Sequence, residues 1–362
     1  MPLEQTSYDM DKNGKITIID VARKAGVSKG TVDRVVHNRG EVSKKSAEKV
    51  RKAIEELRYQ PNLYASLLAS KKAHVIAFLV PSFGKGEYWD KLHSGFLRGG
   101  EAVASLNVRT RVFQYDQYDP DSFARAVEEM LDSSPSAVIM QPLFKSDTLQ
   151  LAERLNEQGI PYVYVDTKLE DPDYFAYFGM PMYKSGRLCA VILTERLAEE
   201  EVKEVAIVRI TRDKTRRSDP TLERRSGFLD FMDEYYPECR LHQVFIDPNK
   251  PESIPATLDA FAAEHPDIKL VVMFNSRIHL IADWLAAHPV EGRRVIGFDD
   301  LEKNLDAVRS DIVDVLITEH IENQTFNAVN VLSDYILMYK RPSVRDNYMH
   351  MDILTKYNLE HY

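Results

Sequence analysis

"TIIDVARKAGVSKGTVDRVV" (residues 17–36) decides how the first part of the chain folds. Thr17 can cap a helix through "IIDVARKA", where a side-chain oxygen satisfies a free N–H of the first turn. Gly26 ends that helix, at the position that needs a left-handed residue. Ser28 caps a second helix, "KGTVDRVV" (29–36). About three residues separate the two helices, which is helix-turn-helix spacing. Val21, Ala22, Ala25, Val27, Val32, Val35 and Val36 fall where one small core can hold both. "HNRGEV" (37–42) reads as a loop. Ser43 caps a third helix, in which Ala47, Val50, Ile54 and Leu57 recur at helical spacing. Pro61 breaks the chain, and Asn62 opens a short segment, "LYASLLASKK".

Charge separates this head from the rest. The whole chain of 362 residues carries a net −9, which on its face argues against a polyanion partner. Residues 15–72, however, hold 14 Lys/Arg against 6 Asp/Glu, a net +8, while residues 73–362 hold 32 against 47, a net −15. A basic head on an acidic body is the asymmetry of a nucleic-acid-binding module joined to something else. The alternative is a solvated, lysine-rich helical head. No apolar run reaches 18 residues, so no membrane span is expected. The polar start, "MPLEQTSYDMDKNGK", lacks the pattern of a signal peptide. Cys189 and Cys239 make no metal or redox spacing, and a reducing cytoplasm fits.

From His74 the pattern changes. "HVIAFLVP", "VRTRVFQYD", "AVIMQPLF", "PYVYVD", "EVAIVRI", "HQVFI", "KLVVMF" and "RRVIGFDD" are apolar runs bounded by turn residues, and so read as buried strands. Amphipathic helical stretches lie between them, such as 120–132, 146–158 and 185–200. Strand–helix alternation predicts parallel α/β sheets, and nearly 290 residues of it predict two sheets with a cleft between them.

The stretch from Thr17 to Lys72 resembles the lactose-repressor (LacI/GalR) family of transcription regulators. The matching pattern is D-V-A-x-x-A-G-V-S-x-x-T-V-x-R-V, then V-S, then a long helix ending L-x-Y-x-P-N-x-x-A. The later strands look like that family's periplasmic-binding-protein-like effector domain. The resemblance implies an all-α helix-turn-helix head on an α/β two-lobed body of two parallel sheets with a cleft. Residues 1–14, outside the resemblance, are expected to be a disordered tail, 15–61 the DNA-binding domain and 62–72 a hinge helix. Residues 73–362 would be the effector domain, with one lobe from 73–179 and 319–341 and the other from 180–318 and 342–362. It also implies a homodimer, with a tetramer as the alternative, on a palindromic double-stranded operator. The second helix would enter the major groove. Lys29 and Gly30 would face base edges, with Thr31 and Arg34 near bases or backbone, and Leu68 would wedge into the minor groove. Lys29, Arg34, His37 and Asn38 surround the helix and its loop and could neutralise phosphates, with Thr17 and Ser28 at the helix starts. Asp33 departs from the family's common serine. It lies one turn from Lys29 and from His37, and either orients them or accepts from a cytosine amino group.

Ligands of open α/β sheets bind beyond the carboxyl ends of the strands. That rule alone picks Ser82, Tyr88, Trp89, Gln141, Asp166, Asn275 and Asp299, where aromatic faces and polar edges together suit a sugar. The family comparison adds Arg224, in "LERRSGF", as a ligand-gripping arginine. It also adds Glu319, in "LITEHI", where glutamine is common. A glutamate there removes donors and adds charge, so either the ligand brings a donor or Glu319 pairs with a protein cation. Asp300 beside Asp299 is expected to be structural, since adjacent acids at a strand end point opposite ways.

A carbohydrate-active enzyme and a solute-binding protein with an incidental basic head are the other classes. The sequence has no H-E-x-x-H and no clustered metal spacing. No enzyme activity, cofactor or metal is expected. The expected function is an effector-controlled, cytoplasmic transcription regulator, a repressor, whose effector is a sugar or sugar derivative.

Overall fold

A computed structural model describes residues 16–36, 42–57, 59, 73–211 and 221–361. Three helices make up the described head: α1 (Ile18–Ala25), α2 (Lys29–Val36) and α3 (Lys44–Glu56). Asp20 reaches back to the start of α1, where its Oδ2 accepts from the Thr17 N–H at 2.9 Å and from the Thr17 hydroxyl at 2.6 Å. Gly26 ends α1 at φ 64°, the left-handed conformation its lack of Cβ permits. Ser28 Oγ accepts from the Thr31 N–H at 3.2 Å, and Ser43 Oγ from the Ser46 N–H at 3.3 Å. Val21, Ala22, Ala25, Val32, Val50 and Ala53 form the buried core, with Val27, Val35, Val36, Ile54 and Leu57 packed against it.

The body holds two six-stranded sheets. The first, in order β11-β5-β4-β3-β1-β2, contains β1 (His74–Pro81), β2 (Val108–Tyr115), β3 (Ala137–Met140), β4 (Tyr162–Val165), β5 (Ala176–Gly179) and β11 (Asp346–Tyr348). The second, in order β12-β10-β9-β8-β6-β7, contains β6 (Glu204–Ile210), β7 (Arg240–Ile246), β8 (Leu270–Met273), β9 (Arg294–Phe298), β10 (Val315–Thr318) and β12 (Asp352–Leu354). The central strands β3, β4, β5 and β8 are buried along their whole length, as strands with both faces covered must be. Edge strands β2 and β7 alternate between buried and open positions. The strand β12 is antiparallel to β10.

Helices follow the strands. In the first lobe these are α4 (Tyr88–Val103), α5 (Pro120–Asp132) and α6 (Lys145–Glu157). The second has α7 (Met182–Thr194), α8 (Leu222–Tyr235), α9 (Ile254–Glu264), α10 (Ala282–Ala287) and α11 (Glu302–Arg309). The helix α12 (Ile321–Met338) returns to the first lobe, where the Thr325 hydroxyl donates to the Leu92 carbonyl of α4 at 2.6 Å. The chain thus crosses between lobes three times: after β5, after β10, and between β11 and β12. One expectation needs correction here. Residues 346–348 were assigned with 342–362 to the second lobe, but β11 pairs in parallel with β5 of the first sheet. Three-residue strands such as β11 and β12 are too short to show a hydrophobic period.

Two glycines set the seat of the ligand-facing arginine. A Cβ at Gly186 of α7 would lie 1.7 Å from the Arg224 carbonyl oxygen, and one at Gly227 of α8 would lie 2.0 Å from that of Tyr183. The two helices therefore pack backbone to backbone, and Arg224 sits in their contact, 5% exposed.

Candidate functional site

A cleft of about 390 Å³ opens beyond the carboxyl ends of strands from both sheets. Its wall includes Tyr88, Trp89, Asp166, Arg224, Asn275 and Asp299 of the expected residues. Asp166 follows β4 and Asp299 follows β9, and both sit at positive φ, 65° and 68°. Side chains other than glycine rarely take that conformation, and such strain is characteristic of binding sites.

Asp166 is held from all sides. Its carboxylate accepts from Tyr88 Oη at 2.7 Å, Gln141 Nε2 at 3.1 Å and Thr167 Oγ1 at 3.2 Å. Its backbone N–H donates to Gln324 Oε1 at 2.7 Å, and the Tyr177 hydroxyl donates to its carbonyl at 2.9 Å. Burial still raises its pKa, because desolvation outweighs these donors. Asp299 has no hydrogen bond to its side chain among the described residues, although it is only 4% exposed. Burial first, and then the neighbouring carboxylates Asp300 and Asp166, push its pKa up to about 7 despite Arg224.

Arg224 is fixed by the protein. Its Nε donates to Ser185 Oγ at 3.1 Å and its Nη1 to the Phe274 carbonyl at 2.5 Å. The guanidinium lies 4.0 Å from the centroid of the Phe298 ring, a cation–π contact. Trp89 meets Tyr88 edge to face at 5.0 Å between centroids, and both residues line the cleft. Asn275 turns the chain after β8, its Oδ1 accepting from the Arg277 N–H at 3.0 Å. Asp300 points away from the cleft to Lys91 of α4, with Nζ to Oδ2 at 2.7 Å. That ion pair joins the two lobes.

Three expected residues do not line the cleft. Ser82 is exposed at the end of β1, outside the wall formed by residues 84–89. Gln141 is buried behind Asp166, which takes its amide. Glu319 lies at the crossing after β10, 1% exposed, and neither of its carboxylate oxygens has a hydrogen-bond partner. Of the two alternatives for Glu319, the pairing with a protein cation is not made among the described residues. Burial first, then Asp299 and Asp166, raise its pKa well above the ordinary value.

Sequence reasoning missed the residues that organise the site. Asn304 of α11 is fully buried, and its Nδ2 donates to the carbonyls of Ser276, Phe298 and Asp299 at 3.0, 3.1 and 3.0 Å. Its Oδ1 accepts from the His279 N–H at 3.2 Å. Lys85, Arg277, His279 and Lys303 also line the cleft. Away from the cleft, Glu204, His242 and His265 bring potential ligand atoms within 4.8 Å of one another, a grouping invisible in the sequence. Arg240 already pairs with Glu204 there.

In the head, Ser28, Lys29, Gly30 and Arg34 are exposed along α2, and Thr31 and Asp33 are half-buried. A Cβ at Gly30 would meet only Ser28 Oγ, at 3.9 Å, so the fold does not require glycine there. Asp33 lies close enough to Tyr59 to raise its phenol pKa, after burial. His37, Asn38 and Leu68 lie outside the described residues.

Residues 76–339 match the periplasmic binding protein domain, and residues 17–62 match the bacterial regulatory proteins of the lacI family. A solved structure from Bacteroides fragilis, described as a LacI transcriptional regulator, superposes with a TM-score of 0.76 at 30% identity, over 80% of this chain and 100% of that one. The chain belongs to the lacI family. Another lacI-type relative is the HTH-type transcriptional regulator IdnR of Escherichia coli (strain K12), 27% identical over 223 residues. The match covers 61% of this chain and 62% of IdnR, so the chain spans under two thirds of that relative's length. The glucose-galactose binding protein GanP of Geobacillus stearothermophilus shares the body's fold, with a TM-score of 0.66 at 17% identity over 80% of this chain and 99% of that one. No helix among the described residues is long and apolar enough to cross a membrane.

Proposed function

We propose that this lacI-family chain is a transcription regulator, a repressor, that binds operator DNA through α2. A sugar or sugar derivative in the cleft sets its affinity for that DNA. The observation that carries this reading is the presence in one chain of two binding surfaces of different chemistry. One is a basic helix-turn-helix with an open second helix. The other is a cleft where an aromatic wall meets an unheld acid, Asp299. Such a cleft suits hydroxyl pairs above an apolar ring face. The protein works in the cytoplasm, where its DNA is, as a dimer on a two-fold operator. Effector binding shifts the lobes relative to one another and so changes operator affinity. By linkage, operator changes effector affinity by the same factor. No step in this reading is a catalysed reaction.

The test is fluorescence polarisation of the full chain on DNA selected from a random pool. Sequence-selective, salt-sensitive binding whose affinity moves when a sugar is added is the expected result. Equal affinity for selected and random DNA would sink the proposal.

A further inference from the structure

Three cations on the cleft wall, Lys85, Arg277 and Lys303, have no ion pair among the described residues. The other charges of the wall, apart from Asp299, are occupied. Asp166 and Arg224 are hydrogen-bonded within the protein, and Glu87 Oε2 accepts from the Gly84 N–H at 2.8 Å.

Arg277 and Lys303 share one corner, since both depress the His279 imidazole, with burial the larger cause; Asn304 and Glu87 act the other way. His279 Nδ1 is 2.8 Å from Asn304 Oδ1, which leaves Nε2 for a ligand. The corner is tied to Asp299, because Asn304 grips the carbonyls of both Ser276 and Asp299. Lys85 comes from the first lobe, on the loop before α4. Two N–H groups of that loop are already taken, Gly84 by Glu87 and Gly86 by Asp90, and Lys85 adds an ammonium between them.

We infer that the effector is an anionic sugar. Its hydroxyls meet Asp299 and its apolar face meets the aromatic wall. Its oxyanion, a phosphate or a carboxylate, is held by Arg277 and Lys303, with Lys85 supplied from the other lobe. A guanidinium matches either oxyanion with two parallel hydrogen bonds, which a neutral sugar cannot supply. A neutral ligand in the closed cleft would leave these cations desolvated and uncompensated. The inference rests on the reading of the cleft as a carbohydrate site.

The experiment is titration calorimetry on the full chain with matched sets: D-glucose, glucose 6-phosphate and gluconate, then the same three forms of galactose and ribose, with inorganic phosphate alongside. At least one anionic member is expected to bind ten-fold or more tightly than its neutral parent, with the advantage shrinking in high salt. Arg277→Ala and Lys303→Ala should erase that advantage and leave the thermal midpoint of the free protein unchanged. The phosphate and carboxylate members separate the two oxyanion sources. A neutral parent that binds as well as its anionic forms overturns the inference alone. So does an anion whose affinity survives both substitutions. Failure of every sugar, neutral and anionic, overturns the carbohydrate reading itself and the inference with it.

Discussion

Asp166 and Asp299 occupy the same place in two different sheets. Each follows a central parallel strand, each takes a left-handed backbone, and each faces the cleft. Their surroundings differ. Three side-chain donors hold Asp166, and none holds Asp299. An acid with its lone pairs already taken can shape a site, but it has little left to offer a ligand. An acid with open lone pairs and a pKa pushed to about 7 has more to gain from a ligand's donors. The first lobe thus contributes a braced wall, and the second contributes the group that recognises.

The contrast can be broken by substitution. Asp166→Ala should have the largest effect, a loss of about 3 kcal/mol in urea unfolding, since it strands the Tyr88 hydroxyl and the Gln141 amide in a buried site. A loss no greater than that of Asp299→Ala would erase the distinction between the two acids.

Asp299→Asn should act in the other direction. The folded-state pKa of Asp299 lies above its unfolded value of 3.8, so its protonated form favours folding at low pH. That contribution is present below pH 4 and is lost as pH rises towards about 7, with a slope of up to about 1.4 kcal/mol per pH unit. The asparagine variant should therefore unfold at higher temperature than the parent at pH 8 and at nearly the same temperature near pH 4. It should also lose its effector response while still binding DNA. Parallel melting curves at both pH values would contradict this account of the acid.

Glu319→Gln carries the same sign for the same reason. It removes a buried acid that faces Asp299, Asp166 and Asp300 with only Arg224 to offset them. Its thermal midpoint should exceed the parent's at pH 8, and the gain should fade as pH drops. A lower midpoint at pH 8 would mean that the carboxyl has a favourable partner.

The smallest effect belongs to the head. Gly30→Ala should raise helix stability by about 1 kcal/mol or less, because alanine is the better helix former and its Cβ meets nothing closer than 3.9 Å. DNA affinity should fall by polarisation, since the added methyl stands on the exposed face. Unchanged affinity would remove Gly30 from the reading surface.

The head was legible almost residue by residue, because its signals are local. Thr17, Gly26, Ser28 and Ser43 mark helix ends that the structure keeps. In the body, apolar runs gave eight of the strands, while β5, β10, β11 and β12 were not picked out; β11 and β12, at three residues each, are too short to show a period. The strand-end rule found Asp166 and Asp299, because position along one strand suffices for that. It could not separate Gln141, which lies behind the wall, from residues on the wall, and the family comparison that added Glu319 could not do so either. Asn304 and Lys303 sit on a helix that follows the strand, and only the folded chain brings them to the cleft.

The three crossings between the lobes have a mechanical consequence. A single thread would let one lobe swing and twist freely about the other. Three threads restrict those freedoms, and the Lys91–Asp300 pair is a further tie between the lobes. Any motion of one lobe against the other has to pass through these threads, and Glu319 lies in one of them.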